Sequence, residues 1–162
     1  MYKAVSVRAA EIRKKLKAIG YNSHMVSVRS SQFSGGDNIV IRMKSVDVDE
    51  HKVREIAKGY EDIARDKYNG EILMGSNLFV FVEWDWQFVE KAKERWYDLA
   101  KAIYEKPYIS LDNFHWIKDS RVLSVHDKYG VRHQFRAGID GIADALLYAI
   151  EIYRTVKEDE LK

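Results

Sequence analysis

Apolar residues recur at spacings of four, three, four and three from Val5 through Ala9, Ile12 and Leu16 to Ile19, which places them on one narrow stripe of a helix that ends at Gly20. Behind it, Met25 to Ser31 and Ile39 to Lys44 read as two β-type runs flanking the loop Ser34-Gly35-Gly36-Asp37-Asn38, the pattern of a hairpin. In the second run Ile39, Ile41 and Met43 alternate with Val40, Arg42 and Lys44, so one face is buried and the other wet. Asp47-Val48-Asp49-Glu50 offers a side-chain acceptor three residues ahead of a glutamate, which starts a second helix. Val53, Ile56, Ala57, Tyr60 and Ala64 give that helix its apolar face to about Lys67.

Beyond Asn69-Gly70, the run Glu71 to Met74, a Gly75-Ser76-Asn77 turn and the run Leu78 to Trp84 read as a strand pair. The second of these runs is apolar on both faces, which predicts a central strand at the heart of the sheet. A long helix follows, with Trp86, Val89, Trp96, Leu99, Ala100 and Ile103 inward, and stops before Pro107. Arg121 to His126 and Val131 to Phe135 form a further hairpin about an Asp127-Lys128-Tyr129-Gly130 turn. A last helix carries Ile139, Ile142, Ala143, Leu146, Ala149, Ile150 and Tyr153. The expected class is α+β, an antiparallel sheet with helices packed on it, in the order α-β-β-α-β-β-α-β-β-α.

A chain of 162 residues with one proline and no low-complexity tract is long enough for one core, so a single domain over 1–162 is expected, with halves 1–85 and 86–162. There are no cysteines, which removes disulfides, thiolate metal sites and a cysteine nucleophile and points to a reducing cytoplasm. The apolar run Leu78 to Val82 is far shorter than a membrane span, and the first residues lack a signal-peptide core, so a soluble protein away from membranes is expected. Net charge is +2, yet residues 1–44 hold nine Lys/Arg against two acids. That asymmetry signals a nucleic-acid or acidic-protein partner at the N-terminal end or, as the preferred reading, an ordinary solvated helix face, while the overall balance excludes a heavily acidic mimic of DNA.

The run Ala9 to Lys17, then Ser27-Val28-Arg29-Ser30 and Phe33-Ser34-Gly35-Gly36-Asp37-Asn38-Ile39-Val40-Ile41, resembles large polyvalent protein associated domain 29, a family of bacteriophage and conjugative-element proteins. The resemblance covers residues 9 to about 43 closely and runs on to 84 only in the order of elements; Lys44-Ser45-Val46-Asp47 depart from the family pattern. It implies a mobile-element gene product acting inside a bacterial cell, one that blunts a host defence system, and it implies no catalytic residues and no cofactor.

Arg29, Arg42 and Lys44, with Phe33 at the hairpin tip, are the candidate contact residues of the first half: a basic and aromatic platform for nucleic acid or an acidic protein. Four Trp and ten Tyr exceed the needs of a small core, which makes Trp116 and Tyr129 candidate interface residues of the second half and raises homo-oligomerisation as one use. The Gly35-Gly36 loop joins two strands and lacks a phosphate loop's lysine, so it reads as a turn. Glu83 and Asp85 share a strand face where a metal-dependent nuclease would hold Mg²⁺, but no third acid or lysine is placed for it. His115, His126 and His133 lack a zinc spacing, so no metal site is assigned. The reading is a non-enzymatic binding protein that contacts a host complex such as a CRISPR effector or restriction enzyme, with a nucleic-acid-binding accessory protein as the alternative and a nuclease behind it.

Overall fold

A computed structural model describes residues 3–75 and 77–162; Ser76 of the Gly75-Ser76-Asn77 turn lies outside the described residues. The class is α+β, and the chain sorts into two compact units, Met1–Asp85 and Trp86–Lys162. Each unit builds a core of its own, which an argument from length alone does not anticipate.

In the first unit the order is α1 (Val5–Ala18), β1 (Val26–Phe33), β2 (Gly36–Met43), α2 (Glu50–Lys58) and β3 (Leu78–Trp84). The spacing that predicts α1 is the spacing that buries it: Val5, Ala9, Ile12 and Leu16 are inside, whereas Ile19 falls past the helix end and is exposed. β1 and β2 pair antiparallel from Val26 opposite Met43 to Phe33 opposite Gly36. β3 returns through α2 to pair parallel with β2, from Asp37 opposite Leu78 to Met43 opposite Trp84. The sheet order is therefore β1-β2-β3, a mixed sheet rather than the purely antiparallel one expected. Val26, Val28, Ile39, Ile41, Met43 and Leu78 meet the apolar faces of α1 and α2 in one cluster.

Three expectations change here. The all-apolar run of β3 does not occupy the centre of the sheet but an edge, with Phe81 half exposed. The centre belongs to β2, whose Ile39, Ile41 and Met43 are wholly buried. The second helix starts from Asp49, whose side chain accepts the His51 N–H at 3.0 Å, and ends at Lys58 rather than near Lys67. Glu71 to Met74 forms no strand; Ile72 makes a single bridge to Arg65. Local side-chain hydrogen bonds win over strand pairing in this loop. Asp66 Oδ1 accepts from the N–H groups of Tyr68 and Asn69 at 2.8 and 3.1 Å.

Asn77, 2% exposed, ties the loop to the hairpin. Its Oδ1 accepts the Ala64 N–H at 2.8 Å and its Nδ2 donates to the Leu73 carbonyl at 2.7 Å, while its own carbonyl accepts the Asp37 N–H at 2.8 Å. A buried amide with its polar atoms satisfied fixes a loop that has little apolar core.

The second unit opens with α3 (Trp86–Ala92), which runs through a 3₁₀ turn (Lys93–Trp96) into α4 (Tyr97–Glu105) and stops before Pro107. Four antiparallel strands follow in sheet order, β4 (Tyr108–Leu111), β5 (Phe114–Ile117), β6 (Val122–His126) and β7 (Arg132–Gln134). The last helix, α5 (Ile139–Leu146), continues as a π-helical stretch over Leu147–Ile152. The β4–β5 hairpin has no counterpart in the sequence reading, because four-residue strands about Asp112-Asn113 carry too little alternation to register. Phe114, Trp116, Leu123, Val125, Ile142 and Leu146 are fully buried. Trp86, expected inward, is 71% exposed.

Gly36 sits at φ +141°, and a Cβ there would collide with the Asn77 carbonyl. Gly36→Ala should therefore cost about 2 kcal/mol or more of stability, since strained backbone and a clash act together. Urea denaturation would measure it, and a loss below about 0.5 kcal/mol would show that the loop is not held against the hairpin tip in this way.

Candidate functional site: the outer face of the first sheet

Alternation along the three strands of the first sheet sends one set of side chains to the helices and the other set away from them. The outward set comprises Ser27, Arg29, Ser31 and Phe33 on β1, Asn38, Val40 and Arg42 on β2, and Phe79, Phe81 and Glu83 on β3, as the register dictates. Phe33 and Phe81 are 48% and 50% exposed. Phe79 stands between them, its ring centroid 5.9 Å from that of Phe33 and 6.5 Å from that of Phe81, with the last two rings stacked at 12°. Three phenylalanines thus form one contiguous group, with Phe33 at the hairpin tip beside Phe79, and Phe79 and Phe81 successive on the outward face of β3.

Charge on this face is partly spent within it. Arg42 Nε donates to Glu83 Oε1 at 2.8 Å across the parallel pair, so the guanidinium and the carboxylate that a nuclease would need for a metal neutralise one another. Arg29, opposite Val40, is exposed and makes no ion pair among the described residues. Lys44 is half-buried just past the strand, where its N–H donates to the Met25 carbonyl at 2.7 Å. Arg29, Phe33 and Arg42 are brought onto one surface.

Trp116 and Tyr129 belong elsewhere. Trp116, read as an interface residue, is 1% exposed in the core of the second unit, and its Nε1 donates to the Lys106 carbonyl at 3.1 Å. Tyr129 is half exposed in the β6–β7 turn that Asp127 organises. Much of the aromatic excess is also internal: Tyr148 packs edge-on to Tyr153 at 5.5 Å and tilted against Phe135 at 5.3 Å.

The histidines do not converge. His133 Nε2 lies 2.8 Å from Asp127 Oδ2; burial opposes the Asp127 charge, but hydrogen bonds from His133, Val131 and Tyr129 outweigh it and lower its pKa. His115 and His126 stack edge to face at 6.2 Å. Among the described residues, no three His, Cys, Asp or Glu side chains gather as a metal-binding group, and no helix is long and apolar enough to cross a membrane.

Comparison with known proteins finds no matching family model, no matching curated protein and no matching solved structure. Function must therefore be argued from the surfaces themselves.

One cluster escaped sequence reasoning. Lys93, 1% exposed, points its Nζ at Glu90 (2.7 Å), Asp140 (3.1 Å) and Asp144 (3.3 Å), and Tyr97 donates its hydroxyl to Asp140 at 2.6 Å. Burial opposes the ammonium charge, but hydrogen bonds to Glu90 and Asp140 and the Asp144 carboxylate outweigh it and raise the lysine pKa. Hydrogen bonds from Tyr97 and Lys93 hold Asp140 below the usual carboxylate range, whereas burial pushes Asp144 up. A lysine locked in its charged form is no nucleophile at neutral pH, so the cluster works as an electrostatic clasp between α3 and α5. Sequence offers little signal for it, because Lys93 and Asp140 stand 47 positions apart in two separate helices of the sequence reading.

The sign of the pH dependence follows from these shifts. Stability contributed by Asp140 is present above about pH 4 and lost as pH falls through its lowered folded value, and that of Lys93 persists until pH rises past about 10. Lys93→Met, which keeps the packed stem, should cost about 1–3 kcal/mol near neutral pH. The difference from the parent should shrink as the carboxylates protonate below about pH 4. Urea melts at both pH values would check it; a cost that stays constant would mean that the lysine acts through packing alone.

Proposed function

We propose that the chain is a non-enzymatic binding protein that docks on a partner protein through the outer face of its first sheet. The observation that carries this reading is the group Phe33, Phe79 and Phe81, on the face turned away from the core that α1 and α2 share with the sheet. Large rigid aromatic side chains that are half exposed and side by side are the usual energetic centre of a protein interface.

A nucleic-acid platform would also use stacked rings, but it needs cations free to meet phosphates. Arg42 is neutralised by Glu83, and the face is left with Arg29 as its cation outside an ion pair among the described residues. Three rings and Val40 against that charge favour an apolar protein surface with an acidic rim. The narrower proposal, that this partner is a host defence complex such as a CRISPR effector or a restriction enzyme and that the chain inhibits it, rests on the resemblance of residues 9 to 84 to a mobile-element family.

The test is the double variant Phe33→Ser/Phe81→Asp, measured against purified effector and restriction complexes and against a single-stranded oligonucleotide. Its unfolding free energy should stay within about 1 kcal/mol of the parent, because both rings are already half in water. Affinity for the partner complex should fall about thirtyfold or more. Unchanged affinity would remove the sheet face from the interface, absence of binding to any complex would remove the defence partner, and oligonucleotide binding that drops steeply with salt and disappears in the variant would replace protein by nucleic acid.

A further inference from the structure

β1 is an edge strand, and its unpaired side faces a cleft. The parity of the ladder is set by the Lys44 N–H, which donates to the Met25 carbonyl at 2.7 Å. In an antiparallel pair hydrogen-bonded and non-hydrogen-bonded residues alternate, so Ser27, Arg29 and Ser31 exchange their backbone bonds with β2. Val26, Val28, Ser30 and Gln32 then turn their N–H and C=O groups to the free edge. Two contacts agree with that assignment: the Val26 N–H donates to the Asn22 carbonyl at 3.0 Å, and the Val28 carbonyl accepts from Arg13 Nη2 at 2.6 Å. Ser30 and Gln32 are exposed, and on this edge their backbone groups have no partner among the described residues.

Alongside this edge, the C-terminal half of α1 leaves a cleft of about 410 Å³. Leu16, Val26 and Val28 contribute apolar lining, and every charged residue that lines it is basic: Arg13, Lys17 and Arg29. An open strand edge is a template for another strand, and a helix beside it supplies side-chain pockets that read alternate residues of the guest.

We infer that the β1 edge and the α1 cleft take an extended acidic peptide segment as an added strand. The alternating donors and acceptors of Val28, Ser30 and Gln32 match a peptide backbone; a phosphate backbone carries acceptors only and would leave the edge carbonyls without donors. Arg13 is the gate. Its bond to the Val28 carbonyl occupies the position that a guest N–H would take, so an incoming strand replaces Arg13 there and frees the guanidinium for a guest carboxylate. Lys17 and Arg29 meet further acidic side chains along the same cleft. This inference does not rest on the aromatic face, which lies on the side of the sheet rather than along its edge.

The experiment uses labelled peptides of about eight residues in which Asp or Glu alternates with Val or Thr, their Lys-substituted counterparts, and oligothymidylate, each titrated by anisotropy at low salt. Acidic peptides should bind, shifting the amide resonances of Val28, Ser30 and Gln32, and basic ones should not. Ser30→Pro removes an N–H that the native ladder does not use and is tolerated on an edge strand; it should weaken binding about tenfold or more. Lys17→Glu, on the helix surface, should do the same and leaves β1 untouched. The inference is overturned if acidic peptides fail to bind at millimolar concentration, if they bind Ser30→Pro as tightly as the parent in a protein that remains folded, or if basic peptides bind equally. Oligothymidylate binding lost in Lys17→Glu and kept in Ser30→Pro would assign the cleft to nucleic acid instead. Because Phe33→Ser/Phe81→Asp leaves the β1 edge intact, failure here and failure of the aromatic-face reading are told apart.

Discussion

Strand β2 is paired on both edges, and its side chains alternate between complete burial at Ile39, Ile41 and Met43 and partial exposure at Asn38, Val40 and Arg42. Because the side-chain period of a strand is two, a slip of one residue would carry all three buried side chains to the wrong face, so the register of the whole first unit is pinned here. β1 and β3 inherit their faces from β2. The two helices then cover the inner set, and what remains outward is set by parity: Phe33, Phe79 and Phe81 in one group, Arg42 neutralised by Glu83, and Arg29 free of an ion pair among the described residues. The candidate surface is a consequence of the ladder rather than an addition to it.

Much of that ladder is legible in the sequence. The four-three spacing of Val5, Ala9, Ile12 and Leu16 identifies α1 without ambiguity, and the alternation of Ile39, Ile41 and Met43 about a glycine-bearing turn identifies the hairpin. β3 misleads because Phe79 and Phe81 are as apolar as Val80 and Val82, and hydrophobicity alone cannot separate an inward face from an outward contact face. The same ambiguity hid the site's two most telling residues inside what reads as core. The loop before β3 is governed by Asp66 and Asn77, whose side chains bond to backbone at positions that no periodicity marks. Gly36 reads as a turn residue and is one, but the backbone it must clear belongs to Asn77, distant in sequence.

The second unit shows the opposite balance. Its aromatic richness, read as surface for contact, is largely absorbed: Trp116 lies in the core, and Tyr148, Tyr153, His133 and Phe135 pack on one another. Its most unusual chemistry, Lys93 among three carboxylates and linked through Asp140 to Tyr97, ties the turn after α3 to α5. The two surfaces proposed for partner contact both belong to the first unit, whose sheet carries an exposed aromatic face and an open edge lined by basic side chains.

The aromatic face depends on the register of β1 on β2 and the peptide edge on β1 being paired on one side only, and amide hydrogen exchange resolved residue by residue along β1 tests both directly. The N–H groups of Ser27, Arg29 and Ser31, committed to β2, should exchange slowly, while those of Val28, Ser30 and Gln32, turned to the free edge, should exchange quickly. Equal protection of both sets would contradict the account by showing that the edge is already covered, and equal exposure of both would show that β1 does not hold its register on β2.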